Sequence, residues 1–156
     1  MPRSYAAGTR VSVEKTRSEM AGLLGRHGAT HYAFGTEPGP EGTPVDIVAF
    51  QLAGRRFRFT VTQATWDDVR ENYVKPDAVR DRKAAVDGET MRRWRARLLW
   101  LKATLEFIED EDVDPAEYLL PFLMLPDGRT MSEWAEPQVA QMYATGKMPP
   151  LLGSGK

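Results

Sequence analysis

The chain has 156 residues, 42% of them apolar and 28% charged, with no cysteine and a net charge of −1. That length supports one domain with its own core, and the missing cysteines exclude disulfides, thiolate metal sites and cysteine nucleophiles. No run approaches the roughly 18 apolar residues of a membrane span, and MPRSYAAGTR lacks the apolar stretch of a signal peptide, so a cytoplasmic protein without membrane contact is expected.

Helical spacing opens the chain. Val13, Met20, Leu23, Leu24 and His27 recur on one side of a segment running from Ser12 to His27, with Ser12 as N-cap and Gly28 as terminator. Gly22 and Gly25 weaken this helix by about 1 kcal/mol each relative to Ala, so packing must hold it. A short aromatic strand is expected at Thr30–Gly35, and the run 36–44 (TEPGPEGTP) reads as a loop. Val45–Leu52 and Arg55–Thr62 flank Ala53-Gly54, the signature of a two-residue hairpin turn. With that turn, Val48, Phe50 and Leu52 share a face with Phe57, Phe59 and Val61, while Val45, Ile47, Ala49, Arg56, Arg58 and Thr60 occupy the other.

Beyond the hairpin, Thr65-x-x-Asp68 resembles a capping box that starts a short helix before Pro76, and Asp77–Gly88 reads as charged and exposed. A long helix is expected from Glu89 to Glu109, where Met91, Trp94, Leu98, Leu101, Leu105 and Ile108 draw one apolar stripe. Trp100 and Phe107 widen its apolar surface; they either pack under the C-terminal segment or meet a partner chain. Arg92, Arg93, Arg95 and Arg97 crowd the expected N-terminal half of this helix, against its dipole. Asp114-Pro115 restarts helix briefly, Pro126–Arg129 is a turn, and Thr130-x-x-Glu133 caps a last helix bent at Pro137 and ending near Gly146. The remainder, MPPLLGSGK, reads as extended, with residues 153–156 as a flexible tail. The expected fold is therefore α+β: an N-terminal helix, a small three-stranded antiparallel sheet packed on a long helix, and a helical C-terminal segment, in one domain over 1–152.

Catalytic and metal signatures are sparse. His27 and His31 have zinc-clamp spacing, but Gly28 breaks the helix between them, and a capping or core histidine is the better account. Asp110-x-Asp112-x-Asp114 opens like a calcium loop, yet Pro115 and Pro121 stand where its Gly and its bidentate Glu belong. Dinucleotide, P-loop, nucleophile-elbow and zinc-protease motifs do not occur. The expectation is a protein that is not an enzyme and takes no cofactor or metal.

Charge supplies the positive signal. Residues 1–105 hold 18 Lys/Arg against 12 Asp/Glu, whereas residues 106–156 hold 3 against 10. Arg55, Arg56 and Arg58 on the hairpin, with Arg92, Arg93, Arg95 and Arg97 on the long helix, are the candidate nucleic-acid contacts. The order helix, three strands, helix is similar to that of the double-stranded-RNA-binding domain, without its Lys-Lys cluster. Trp100, Phe107 and Trp134 are the candidate protein-interface residues, and the acidic last third suits a basic partner.

Three stretches occur in order: Val13–Glu19 (VEKTRSE), Leu125–Thr130 (LPDGRT) and Gly146–Leu152 (GKMPPLL), with the Gly-Arg-Arg-Phe-Arg-Phe hairpin between the first two. On these the chain resembles small uncharacterised proteins of tailed phages and prophages. That resemblance carries no active-site residue; it implies a phage-type accessory protein acting in a bacterial host cell. The leading expectation is a non-enzymatic accessory protein associated with nucleic acid through its basic hairpin and helix. The alternative is a protein-interaction module, a homodimer or an inhibitor of a host factor.

Overall fold

In the computed structural model, which describes residues 5–148, the hairpin turn adopts positive φ at both Ala53 (49°) and Gly54 (75°). This is the geometry whose twist matches that of the flanking strands. Strands β2 (Pro44–Leu52) and β3 (Arg55–Thr62) therefore pair in the expected register, Val48 opposite Phe59 and Phe50 opposite Phe57. Their shared face is buried from Val48 to Val61, and the Phe50 and Phe57 rings stack at 5.5 Å. Strand β1 (His31–Pro38) adds on the far side of β2, giving the antiparallel order β1-β2-β3.

β1 runs three residues beyond the expected Gly35, shortening the loop to a tight turn around Pro40–Gly42. Gly39 is required there: a Cβ would fall 2.3 Å from Val45 Cγ2. Val45, expected on the outer face, is buried beneath this turn rather than left to solvent.

Two helices cover the inner face of the sheet. Helix α1 (Val13–Arg26) is capped by the Ser12 hydroxyl, which accepts from the Lys15 N–H, and it buries Thr16, Met20, Leu23 and Leu24. After α2 (Trp66–Val69), opened by the Thr65/Asp68 capping box, comes helix α3 (Arg82–Asp110). Trp94, Leu98, Leu101, Leu105 and Ile108 of α3 meet α1 and the sheet in one core, while Met91 stays partly exposed. At ~1.5–3 kcal/mol per large buried side chain, this stripe is the fold's main hydrophobic anchor.

α3 begins seven residues before the expected Glu89. The Asp81 carboxylate accepts from the Ala84 N–H and caps it, and Lys83 pairs with Asp87 one turn on. Gly88 weakens the interior by about 1 kcal/mol without ending it. Most of Asp77–Gly88, expected only to be charged and exposed, is thus helix. In consequence Arg92–Arg97 lie about three turns inside α3, and the expected conflict with the helix dipole disappears.

The chain then crosses to the β3 edge. Helix α4 (Pro115–Tyr118) is capped by Asp114, and a 3-10 turn spans Leu120–Phe122. Leu123 bridges to Phe57, and the Met124 N–H donates to the Arg56 carbonyl. Helix α5 (Met131–Thr145) opens on the Thr130/Glu133 capping box and stops at Gly146, whose φ is 66°. Of the expected extended end, the residues beyond Met148, including the tail 153–156, lie outside the described residues. No helix among the described residues is long and apolar enough to cross a membrane.

Candidate functional site

The arginines named from sequence do not gather on one surface. Arg55 lies 3.9 Å from Asp114 at the hairpin end. Arg56 and Arg58 occupy the outer face of the sheet, where Arg58 donates to both oxygens of Glu133 at 2.8 Å. Arg56 is exposed beside an open cavity of ≈ 500 Å³ lined also by His31, Ala49 and Met124. Arg95 turns towards α1 and pairs with Glu19 at 2.7 Å. Only Arg92, Arg93 and Arg97 converge, in a groove between α3 and β3.

Within that groove the three guanidiniums are held differently. Arg92 and Arg93 share Glu89, at 2.7 and 3.2 Å; Arg93 also reaches Asp68 at 3.2 Å and the carbonyls of Thr62 and Gln63. Arg97 donates to the Thr60 carbonyl at 3.2 Å, and its guanidinium carbon lies 5.3 and 5.1 Å from the ring centroids of Phe59 and Trp100. Among the described residues no carboxylate pairs with Arg97, and burial pushes its pKa down.

The Arg92 hydrogen bond, offset in part by burial, and the Arg93 contact together hold the Glu89 carboxyl below its ordinary pKa. A depressed carboxylate contributes stability that is full above the unfolded value of about 4.3 and is lost as pH falls through the folded value. Glu89→Gln should therefore cost about 1 kcal/mol or less at neutral pH, because the network is partly solvated. Urea denaturation should show the variant and wild type converging in acid.

The most heavily partnered ionisable group was not among the sequence candidates. Asp46 is 1% exposed and accepts from Thr36 Oγ1 at 2.7 Å, Gln63 Nε2 at 3.0 Å and Trp94 Nε1 at 3.1 Å. Arg17 lies 3.3 Å away, its guanidinium over the Trp94 ring. Its sequence signal is parity: Asp46 alternates with Val48, Phe50 and Leu52, so it points inward with them. With each oxygen engaged by donors from within the protein, this carboxylate is an organising group of the core.

The histidines stand apart. His27 Nδ1 is 2.6 Å from Glu109 Oε2, joining α1 to the end of α3, while His31 is exposed at the start of β1. Among the described residues no group of three or more His, Asp or Glu side chains is arranged to hold a metal ion.

The three aromatic candidates fall in different places. Trp100 is half-buried, edge-on to Phe59 and Phe122. Phe107, 44% exposed, packs on Tyr118 at 5.0 Å, on a different part of the surface from Trp134. Trp134 belongs to α5, a 15-residue helix with no buried residue. The main contacts of α5 are with Leu120–Phe122, and Arg58 anchors its first turn through Glu133. Met131, Ala135 and Met142 share the partly covered face of α5, with Val139 and Tyr143 on one flank of it and Trp134 on the other, half a turn round the helix from Tyr143. The flanking side chains reach solvent: Trp134 is 43%, Val139 42%, Tyr143 88% and the following Met148 74% exposed. No family model, curated protein or solved structure matches this chain.

Proposed function

We propose that the protein is a non-catalytic accessory module that works by protein–protein association, and that α5 is its docking element. The observation that carries this reading is the exposed apolar flank of α5, where Val139 and Tyr143 lie together in solvent. Single exposed apolar side chains are ordinary on monomers; two adjacent ones on a helix flank, one of them an 88% exposed tyrosine, offer a surface for a partner. On the resemblance to small phage proteins, that association would occur in a bacterial host cell. Support for a nucleic-acid role is thinner, because Arg55, Arg58, Arg92, Arg93 and Arg95 are each engaged by a carboxylate of the same chain.

The occupant that fits best is a second copy. Glu133 and Glu136 are the only ionisable groups within α5 apart from the weakly acidic Tyr143; Glu133 is taken by Arg58, and Glu136 sits at the rim of the apolar stripe. Two such helices can pair about a two-fold axis without placing charge against charge. Light scattering over a dilution series tests this. A mass approaching twice that of the chain at high concentration and falling on dilution is expected; a monomer throughout contradicts it.

A further inference from the structure

The groove between α3 and the β3 edge has features that self-association through α5 does not use. Its volume is ≈ 470 Å³, and its walls are Arg92, Arg93, Arg97 and Trp100 on one side and Thr60 and Thr62 on the other. Three guanidiniums face it, against Glu89 and Asp68 as the carboxylates paired with them, so its lining carries a net positive charge.

Arg97 is the centre of the argument. A guanidinium drawn partly out of water and lacking a counter-ion carries an uncompensated desolvation cost. Its contacts within the protein are one carbonyl and two aromatic faces. That leaves most of its five N–H donors for an occupant of the groove.

The β3 edge adds neutral donors. The Thr60 and Thr62 carbonyls are taken from outside the sheet, by Arg97 and Arg93. Backbone polar groups alternate sides along a strand, so the N–H groups of Thr60 and Thr62 also point outward. Among the described residues neither meets an acceptor. Leu123 covers this edge only at Phe57, further along β3.

Planar forks from arginine beside backbone N–H groups are the donor set that phosphate oxygens fit best. We infer that this groove binds a single phosphoryl group, as inorganic phosphate or a small phosphate monoester, with Arg97 as its principal ligand and Arg92, Arg93 and the Thr60–Thr62 edge completing the shell. A polynucleotide is the poorer fit, because the basic surface does not continue beyond the groove: Arg95 and Arg58 are paired elsewhere. This inference is independent of the α5 proposal.

The test is calorimetric titration of the full chain at low ionic strength with inorganic phosphate, a nucleoside monophosphate and a single-stranded oligonucleotide. Saturable binding of phosphate or the monophosphate is expected, accompanied by a rise in wild-type Tm that chloride of equal ionic strength does not reproduce. Arg97→Met keeps an apolar stem against Phe59 and Trp100, and it should weaken binding at least tenfold. Arg97→Lys keeps the charge without the fork and should also weaken it, which covers the case of a methionine variant that does not fold. Arg26→Gln, on α1, should bind as wild type. No saturable binding of either small ligand, binding of the oligonucleotide alone, or unchanged affinity in both Arg97 variants would overturn the inference.

Discussion

Asp46→Ala should destabilise the protein by about 3–5 kcal/mol, the range for removing one partner of a buried charge pair. The carboxylate gathers Thr36 from β1, Gln63 from just beyond β3, Trp94 from α3 and Arg17 from α1, all within 3.3 Å of an oxygen on β2. Removing it leaves the Trp94 indole N–H and the Arg17 guanidinium without their acceptor beside the core, and each orphaned donor carries its own desolvation cost. Asp46→Asn keeps the volume but replaces one acceptor oxygen with a donor, so it should fall between alanine and wild type. Trp94→Phe removes one donor and should cost about 1–3 kcal/mol. The two sites share a hydrogen bond, so a double-mutant cycle should show coupling of about 0.5–3 kcal/mol. Urea denaturation measures all four species. An Asp46→Ala cost below about 1 kcal/mol would mean that hydrophobic packing alone seats α3 on the sheet.

The second large effect is on association. Tyr143 is aromatic, 88% exposed and on the same flank of α5 as the exposed Val139. Aromatic residues dominate interface energetics, at ≥ ~2 kcal/mol when truncated at a hot spot. Tyr143→Ala should therefore weaken self-association about 30-fold. Tyr143 makes little contact within the monomer, so monomer stability should change by less than about 0.5 kcal/mol. Sedimentation velocity and urea denaturation separate the two quantities. A large loss of monomer stability would instead assign the α5 stripe to the fold.

What could be read from the sequence follows from how local each determinant is. The hairpin register rests on a two-residue turn and a side-chain period of two, and it emerged residue by residue. The capping boxes at Thr65/Asp68 and Thr130/Glu133 are three-residue signals and mark real helix starts. The start of α3 was obscured because a dense charge run and Gly88 give no apolar period to follow, while the decisive cap, Asp81, is one acid among several. Asp46 showed its inward parity but not its purpose, since its four partners come from four separated segments. The charge asymmetry was visible, but its outcome was not. Arg58–Glu133 and Arg55–Asp114 join the basic and acidic parts, whereas Arg92, Arg93 and Arg95 find carboxylates within the basic part itself. The apolar side of α5 was likewise present in the sequence. Whether the fold covers such a side depends on where Leu120–Leu125 delivers the helix, a tertiary matter.

The central claim, that α5 pairs with α5 of a second copy, is tested most directly by cross-linking, for which a chain without cysteine is well suited. Val139→Cys places a thiol at mid-helix on the apolar side, near the proposed two-fold axis, and Ala144→Cys places one on the opposite side. Mild oxidation at dilute concentration should convert Val139→Cys rapidly to a covalent dimer and leave Ala144→Cys largely monomeric. Equal and slow cross-linking of the two, as expected of random collisions, would contradict the pairing.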